Sequence, residues 1–214
     1  MDAASIIAKM KEIGIIPVVA IKDEEKAVPL AEALIEGGLP AAEITFRTDA
    51  AEGAIKKIHE AHPEMLLIAG TVLTVDQAKR AVAAGAHLIV APGFNPTVVD
   101  YCLSENIPVV PGVMTPSEME QAIERGLTHL KFFPAEPAGG LKMINAVCGP
   151  YTMLRFMPTG GLNPVNVRDY LASDKIYCCG GSWMVKGALI DGGEWDKIKD
   201  LCREAVAIVK EVRG

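Results

Sequence analysis

Short apolar runs alternate along this chain with longer stretches whose apolar positions recur every three or four residues. The runs cover residues 15–21, 41–46, 65–72, 87–92, 108–113, 129–135, 155–161 and 177–183. Their length and their Val, Ile and Leu content predict strands, and the stretches between them predict amphipathic helices. Successive runs begin about 21 to 26 residues apart, the length of one strand, one helix and two loops. An amphipathic stretch over residues 3–14 adds a helix before the first run, and residues 194–212 carry the last helix.

The punctuation between runs supports this reading. Asp49 with Glu52, Thr74 with Gln77 and Thr115 with Glu118 have the spacing of capping boxes, in which two side chains satisfy two orphan amides. Asn95-Pro96, Thr115-Pro116 and Asn163-Pro164 each place a cap residue before a proline at the first helical position. Gly37, Gly85, Gly126 and Gly149 stand where helices should stop. No Gly-x-Gly-x-x-Gly turn follows the first run, so the eight units predict a closed barrel and not an open doubly wound sheet. The expected fold is α/β, a compact single-domain (β/α)8 TIM barrel over residues 1–214 with an N-terminal helix.

Composition narrows the function. The 214 residues suit one large domain, and a chain half hydrophobic but only 5% aromatic suits an α/β interior. A net charge of −6 offers no basic stripe for nucleic acid and no polybasic patch for a membrane. The first helix is too short to span a bilayer and does not read as a signal peptide, so a cytoplasmic location is expected. Cys102, Cys148, Cys178, Cys179 and Cys202 are odd in number and form no CxxC pair, which predicts free, mostly buried thiols. Cys178 and Cys179 are expected to be small strand-filling residues. His59 and His62 have helical spacing, but just before Pro63 they read as an exposed helix end. Neither a metal nor a cofactor is expected.

The candidate chemistry starts at Lys131, in the apolar run HLKFFPA. Alternation puts Leu130 and Phe132 on the helix-packed face and turns Lys131 and Phe133 to the other side. An amine desolvated beside an aromatic ring loses its proton more readily, and a neutral amine is a nucleophile toward carbonyls. A lysine at a strand end can also snorkel to solvent. In the second run Glu43, Thr45 and Arg47 share a face with Ala41, opposite Ala42, Ile44 and Phe46. An inward carboxylate costs too much to bury without a partner or a task, so either a structural ion pair with Arg47 or Lys131 or a catalytic role is open. Thr71 and Pro92 end the third and fourth runs. The last two end in Thr159-Gly160-Gly161 and Gly180-Gly181-Ser182, and paired glycines at this end of a barrel suit a phosphate.

Two stretches, GLPAAEITFR at 38–47 and GLTHLKFFPAEPAG at 126–139, resemble the signatures of the 2-keto-3-deoxy-6-phosphogluconate (KDPG) and 4-hydroxy-2-oxoglutarate (KHG) aldolases. AGTVL, APGF, PGVMTP, RFMPTGG and GGSWMV are similar to flanking family segments; Phe46 and Phe94 stand where many relatives carry leucine. The resemblance implies a metal-independent homotrimer acting on a 2-keto acid or sugar phosphate. It implies that Lys131 forms a Schiff base and Glu43 is the general acid–base. Arg47 and Thr71 would hold the pyruvyl carboxylate, with Pro92 and Phe133 as an apolar wall. Gly160, Gly161 and Ser182 would take the phosphate, joined by Gly181, while Thr159 would face the substrate hydroxyls. Alternatives at this point are an aldolase for the galactonate epimer, a phosphosugar isomerase or epimerase barrel, and a silent sugar-phosphate sensor. The glycine pairs suit all of these; Lys131 inside a signature favours an aldolase.

Overall fold

The computed structural model describes residues 1–214. The chain opens with α1 (Ala3–Ile13), β1 (Ile15–Val19), α2 (Ala27–Glu36), β2 (Ala41–Thr45), α3 (Ala51–Ala61) and β3 (Leu66–Gly70). It continues through α4 (Val75–Ala83), β4 (Leu88–Val90), α5 (Pro96–Ser104), β5 (Val109–Val110), β6 (Gly112–Val113), α6 (Pro116–Glu124) and β7 (His129–Phe132). It ends with α7 (Gly140–Val147), β8 (Arg155–Pro158), α8 (Val167–Ala172), β9 (Cys179–Gly181), α9 (Gly187–Gly192) and α10 (Trp195–Arg213).

All strand pairs are parallel. Six strands form one sheet in the order β5-β4-β3-β2-β1-β9, and three form a second in the order β6-β7-β8. Isolated parallel bridges join Phe156 to Ile176 and Thr159 to Gly180, bringing the second sheet to the β9 end of the first. The result is a curled parallel sheet wrapped in helices. The run expected as one strand over 108–113 is split, because Pro111 has no amide hydrogen to give the ladder. The carbonyl of Pro111 still accepts from the Lys131 amide at 2.9 Å. Observed strands also stop short of the predicted runs at 65–72 and 177–183: Thr71 turns left-handed after β3, and Trp183 opens a 3-10 turn after β9.

Alternation sorts the strand residues cleanly. Leu66, Leu88 and Met157 fall in an interior cluster of 12 buried residues. Their neighbours Leu67, Ile89 and Phe156 belong to the 54-residue cluster between sheet and helices. At one end the interior is stoppered by Ile6 and Met10 of α1, both fully buried. Complete burial of such a side chain contributes roughly 1.5–3 kcal/mol, so the amphipathic first helix is part of the core. No helix is long and apolar enough to cross a membrane. All five cysteines are free and buried, and Cys178 and Cys179 fill opposite faces of the sheet.

The helix starts are met unevenly. Thr115 and Glu118 form the reciprocal box. Thr74 caps α4, although Gln77 reaches the Leu73 amide (2.7 Å) and not that of Thr74. Asp49 does not cap α3, whose N-cap is Ala50. Glu52 is drawn instead to the Arg80 guanidinium on α4 (2.6 Å), a charge-assisted pairing that competes with the cap for the same carboxylate. Asn163 accepts from the amides of Val165 and Asn166 and closes a turn; α8 begins only at Val167. His59 and His62 are half-buried, unlike the exposed end predicted: His59 packs edge-on against His87, and His62 Nδ1 lies 3.6 Å from Glu64.

His87 and His129 create a pH dependence. Burial above all lowers both below the ordinary imidazole range, helped by the charge of His59 on His87 and of Arg155 and Lys11 on His129. The unfolded chain therefore takes up these protons first, at about pH 6.5, and stability is lost as pH falls from there toward the folded values. Urea midpoints at pH 7.5 and 5.5 should differ for the parent and differ less for the double variant His87→Gln, His129→Gln. An unchanged pH slope in that variant would assign the acid sensitivity to other groups.

Candidate active site

The interior changes character along its length. Apolar at the α1 end, it becomes charged toward the carboxyl ends of the strands, where β2 presents Glu43 and Thr45 after Ala41 and the turn beyond it carries Arg47. Glu43 is fully buried and Lys131, from β7, is 4% exposed. Their strands lie in different sheets and their positions are 88 residues apart, yet Lys131 Nζ donates to Glu43 Oε1 at 2.9 Å across the interior. The second carboxylate oxygen, Oε2, is buried without a hydrogen-bonding partner in the protein. Gly70 makes room for this carboxylate, since a methyl group there would sit 2.6 Å from Glu43 Cγ. The Lys131 ammonium also stands 5.6 Å above the Phe133 ring, within the reach of a cation–π attraction.

Arg47 is oriented from behind. The Thr45 hydroxyl donates to the Val19 carbonyl at 2.7 Å and accepts from Arg47 Nε at 3.1 Å. With Nε engaged, the two terminal nitrogens of the guanidinium are left to grip a planar anion. Thr71 has φ 57, a left-handed conformation that costs a β-branched residue on the order of 1–3 kcal/mol. Thr159 is 7% exposed, and its hydroxyl has no protein partner.

A cavity of about 220 Å³ gathers these groups. Glu43, Arg47, Thr71, Pro92, Lys131, Phe133, Thr159, Gly160, Gly161 and Ser182 all line it. Gly181 does not; it faces the other way, and any side chain there would collide with the Trp183 ring. Gly180 lines the cavity in its place, together with Val18, Thr45 and Leu162. Phasing the last strand from the inward Cys178 would have selected Gly180 by alternation. Gly70 had no such signal, because its role is to leave space for another residue's side chain. The wall therefore combines a buried amine–carboxylate pair, an exposed guanidinium and a glycine-rich rim. That set can attack a carbonyl, move a proton beside it and hold two anionic ends.

The buried pair should be visible in stability. Lys131→Met leaves an unpaired carboxylate inside the sheet and is expected to lower unfolding free energy by ~3–5 kcal/mol, whereas adding Glu43→Leu should restore most of it. Urea denaturation of the two variants checks this. A single variant as stable as the parent would mean that the pair is effectively solvated.

Comparison with known proteins bears on the same residues. The family profile "Aldolase: KDPG and KHG aldolase" matches residues 6–201. A 2-dehydro-3-deoxy-phosphogluconate aldolase of Haemophilus influenzae is 47% identical over 205 residues, covering 96% of this chain and 97% of its own. The KHG/KDPG aldolase of Escherichia coli K12 is 42% identical over 192 residues, 90% of each chain. A KDPG aldolase from Legionella pneumophila, crystallised with pyruvate captured as a covalent carbinolamine intermediate, is 38% identical with a TM-score of 0.91, over 96% of this chain and 98% of that one. With a match that runs nearly end to end and takes in the strands carrying Glu43 and Lys131, this chain belongs to the KDPG and KHG aldolase family.

Proposed function

We propose that this protein is a lysine Schiff-base aldolase that reversibly cleaves 2-keto-3-deoxy-6-phosphogluconate to pyruvate and glyceraldehyde 3-phosphate. It would also cleave 4-hydroxy-2-oxoglutarate to pyruvate and glyoxylate. The observation that carries this reading is the 2.9 Å bond between Lys131 Nζ and Glu43 Oε1 at the base of the cavity. A lysine must lose a proton before it can attack, and the carboxylate is in place to take it. The neutral amine adds to the C2 ketone, Glu43 gives its proton to the departing hydroxyl, and loss of water leaves an iminium that withdraws electrons from the C3–C4 bond. Glu43 then accepts the proton of the C4 hydroxyl, the bond breaks, and the electron pair rests in an enamine. Protonation of the enamine and hydrolysis of the imine release pyruvate and return Lys131. Arg47 and Thr71 hold the keto-acid carboxylate, while Pro92 and Phe133 wall the imine. Thr159 meets a substrate hydroxyl, and Gly160, Gly161 and Ser182 receive the phosphate. No metal or cofactor is assigned a step.

Pyruvate with borohydride, followed by intact-mass measurement, should give a stable adduct on the parent and none on Lys131→Arg, whose guanidinium cannot become a free amine. Glu43→Gln should keep slow trapping but lose roughly 10²–10⁴ in turnover, the range for a positioned acid–base group. An adduct that persists in Lys131→Arg and maps to another lysine would overturn the assignment.

We further infer that the two sheets are arcs of one eight-stranded (β/α)8 barrel forming a single domain over residues 1–214. Counting β5 and β6 as one strand interrupted at Pro111 gives eight, and the Thr159–Gly180 bridge joins the last two. Five buried free thiols suit a reducing, cytoplasmic setting. The assembly is a homotrimer. Leu73, Phe94 and Met114 follow consecutive strands at the same end, with Leu73 51% and Met114 39% exposed, and an apolar band there favours burial against another copy. Sedimentation should show a trimer for the parent and a smaller species for the double variant Leu73→Glu, Met114→Glu. A parent that sediments as a monomer would remove the proposal.

A further inference from the structure

Glu136 and Tyr170 meet just outside the cavity wall. Tyr170, on α8, is 2% exposed, and its hydroxyl donates a short hydrogen bond to Glu136 Oε1. Burial first, and the Glu136 carboxylate second, push the phenol well above its ordinary range, so it remains a proton donor at any working pH. Glu136 lies on the loop that follows β7, five residues beyond Lys131. Its amide donates to the Gly160 carbonyl at 3.0 Å, and the preceding Ala135 amide donates to that of Thr159 at 2.8 Å. Its side chain lies over the glycine turn: a methyl group at Gly161 would be 2.6 Å from Glu136 Cβ. A methyl group at Gly140 would be 2.7 Å from the Tyr170 oxygen and 2.9 Å from Glu136 Oε1. Gly160 and Gly161 have φ of 103 and 83, and Asn166 Nδ2 holds the Gly161 carbonyl at 3.1 Å.

An exposed glutamate normally spends its rotamer freedom in water. This one is tied to a buried phenol, and both glycines beside the pair are shaped around it. A free carboxylate next to an anion site would also repel the anion, and the Tyr170 bond fixes where that charge sits. We propose that Glu136 is a positioning residue. Held by Tyr170, it fixes the Gly160–Gly161 backbone in the conformation that receives the phosphate of the substrate. This rests on reading that glycine turn as the phosphate site.

Three variants test it. Tyr170→Phe keeps the buried ring and removes only the donor, Glu136→Ala removes the brace, and Glu136→Gln keeps an oxygen that can accept. With 2-keto-3-deoxy-6-phosphogluconate, the first two should raise KM about 5- to 10-fold, the net effect of one ordinary hydrogen bond to the phosphate, with kcat little changed. Glu136→Gln should stay close to the parent. With 4-hydroxy-2-oxoglutarate, which has no phosphate, KM should be unchanged in all three. An equal rise for both substrates, or no rise in either of the first two variants, would overturn the brace. A parent enzyme with the same KM for both substrates would defeat the phosphate reading itself, and the brace with it.

Discussion

The bond between Lys131 and Glu43 is the constraint around which this protein is built. Two opposite charges sit in an interior filled largely by apolar side chains, and neither could be kept there alone. To meet, they need β2 and β7 phased so that both side chains turn inward, and they need the two sheets to curl toward each other. They also need Gly70 beside the carboxylate, because any side chain there would push it away. The Lys131 amide is anchored to Pro111, at the break between β5 and β6, so the irregular point of the sheet lies beside the lysine of the buried pair. Each of these features is local in sequence, and only the ion pair makes sense of them together.

Much of this was legible in the chain because polarity contrasts sharply along it. In β2 the sequence Ala-Ala-Glu-Ile-Thr-Phe-Arg can be phased only one way, and the structure puts Glu43, Thr45 and Arg47 on the cavity side. Lys131 stands out against Leu130 and Phe132 for the same reason. Where neighbours are alike, phase disappears: Cys178, Cys179, Gly180 and Gly181 offer no contrast, so nothing in the sequence singles out Gly180 as the one that lines the cavity. Asp49 with Glu52 looked like a cap because the competing partner, Arg80, is brought near only by the packing of α3 and α4. Spacing rules see the helix they are applied to; they do not see the next one.

Stability and reactivity are distributed unequally along the interior. The α1 end is lined mainly by apolar side chains, whereas the other end tolerates an ammonium, a carboxylate oxygen without a protein partner and a threonine in a left-handed conformation. Such departures persist because the surrounding sheet over-determines them, and residues that relieve them would trade function for stability. The Thr45 hydroxyl illustrates the economy of the arrangement, serving at once as a ladder-side donor to Val19 and as the support for Arg47.

The closed floor has a kinetic meaning. Ile6 and Met10 fill the interior below the ion pair, and the residues that line the cavity gather at the carboxyl ends of the strands. An enzyme that splits one molecule into two in a vessel with a single mouth must let the pieces out in order of depth. On the proposed mechanism the fragment near the glycine rim would depart first, and the one bound to Lys131 would stay until water reached the imine past the vacated rim. Release would then be ordered by architecture, and in the reverse direction the keto acid would enter first, because the second reactant would otherwise lie across its way in.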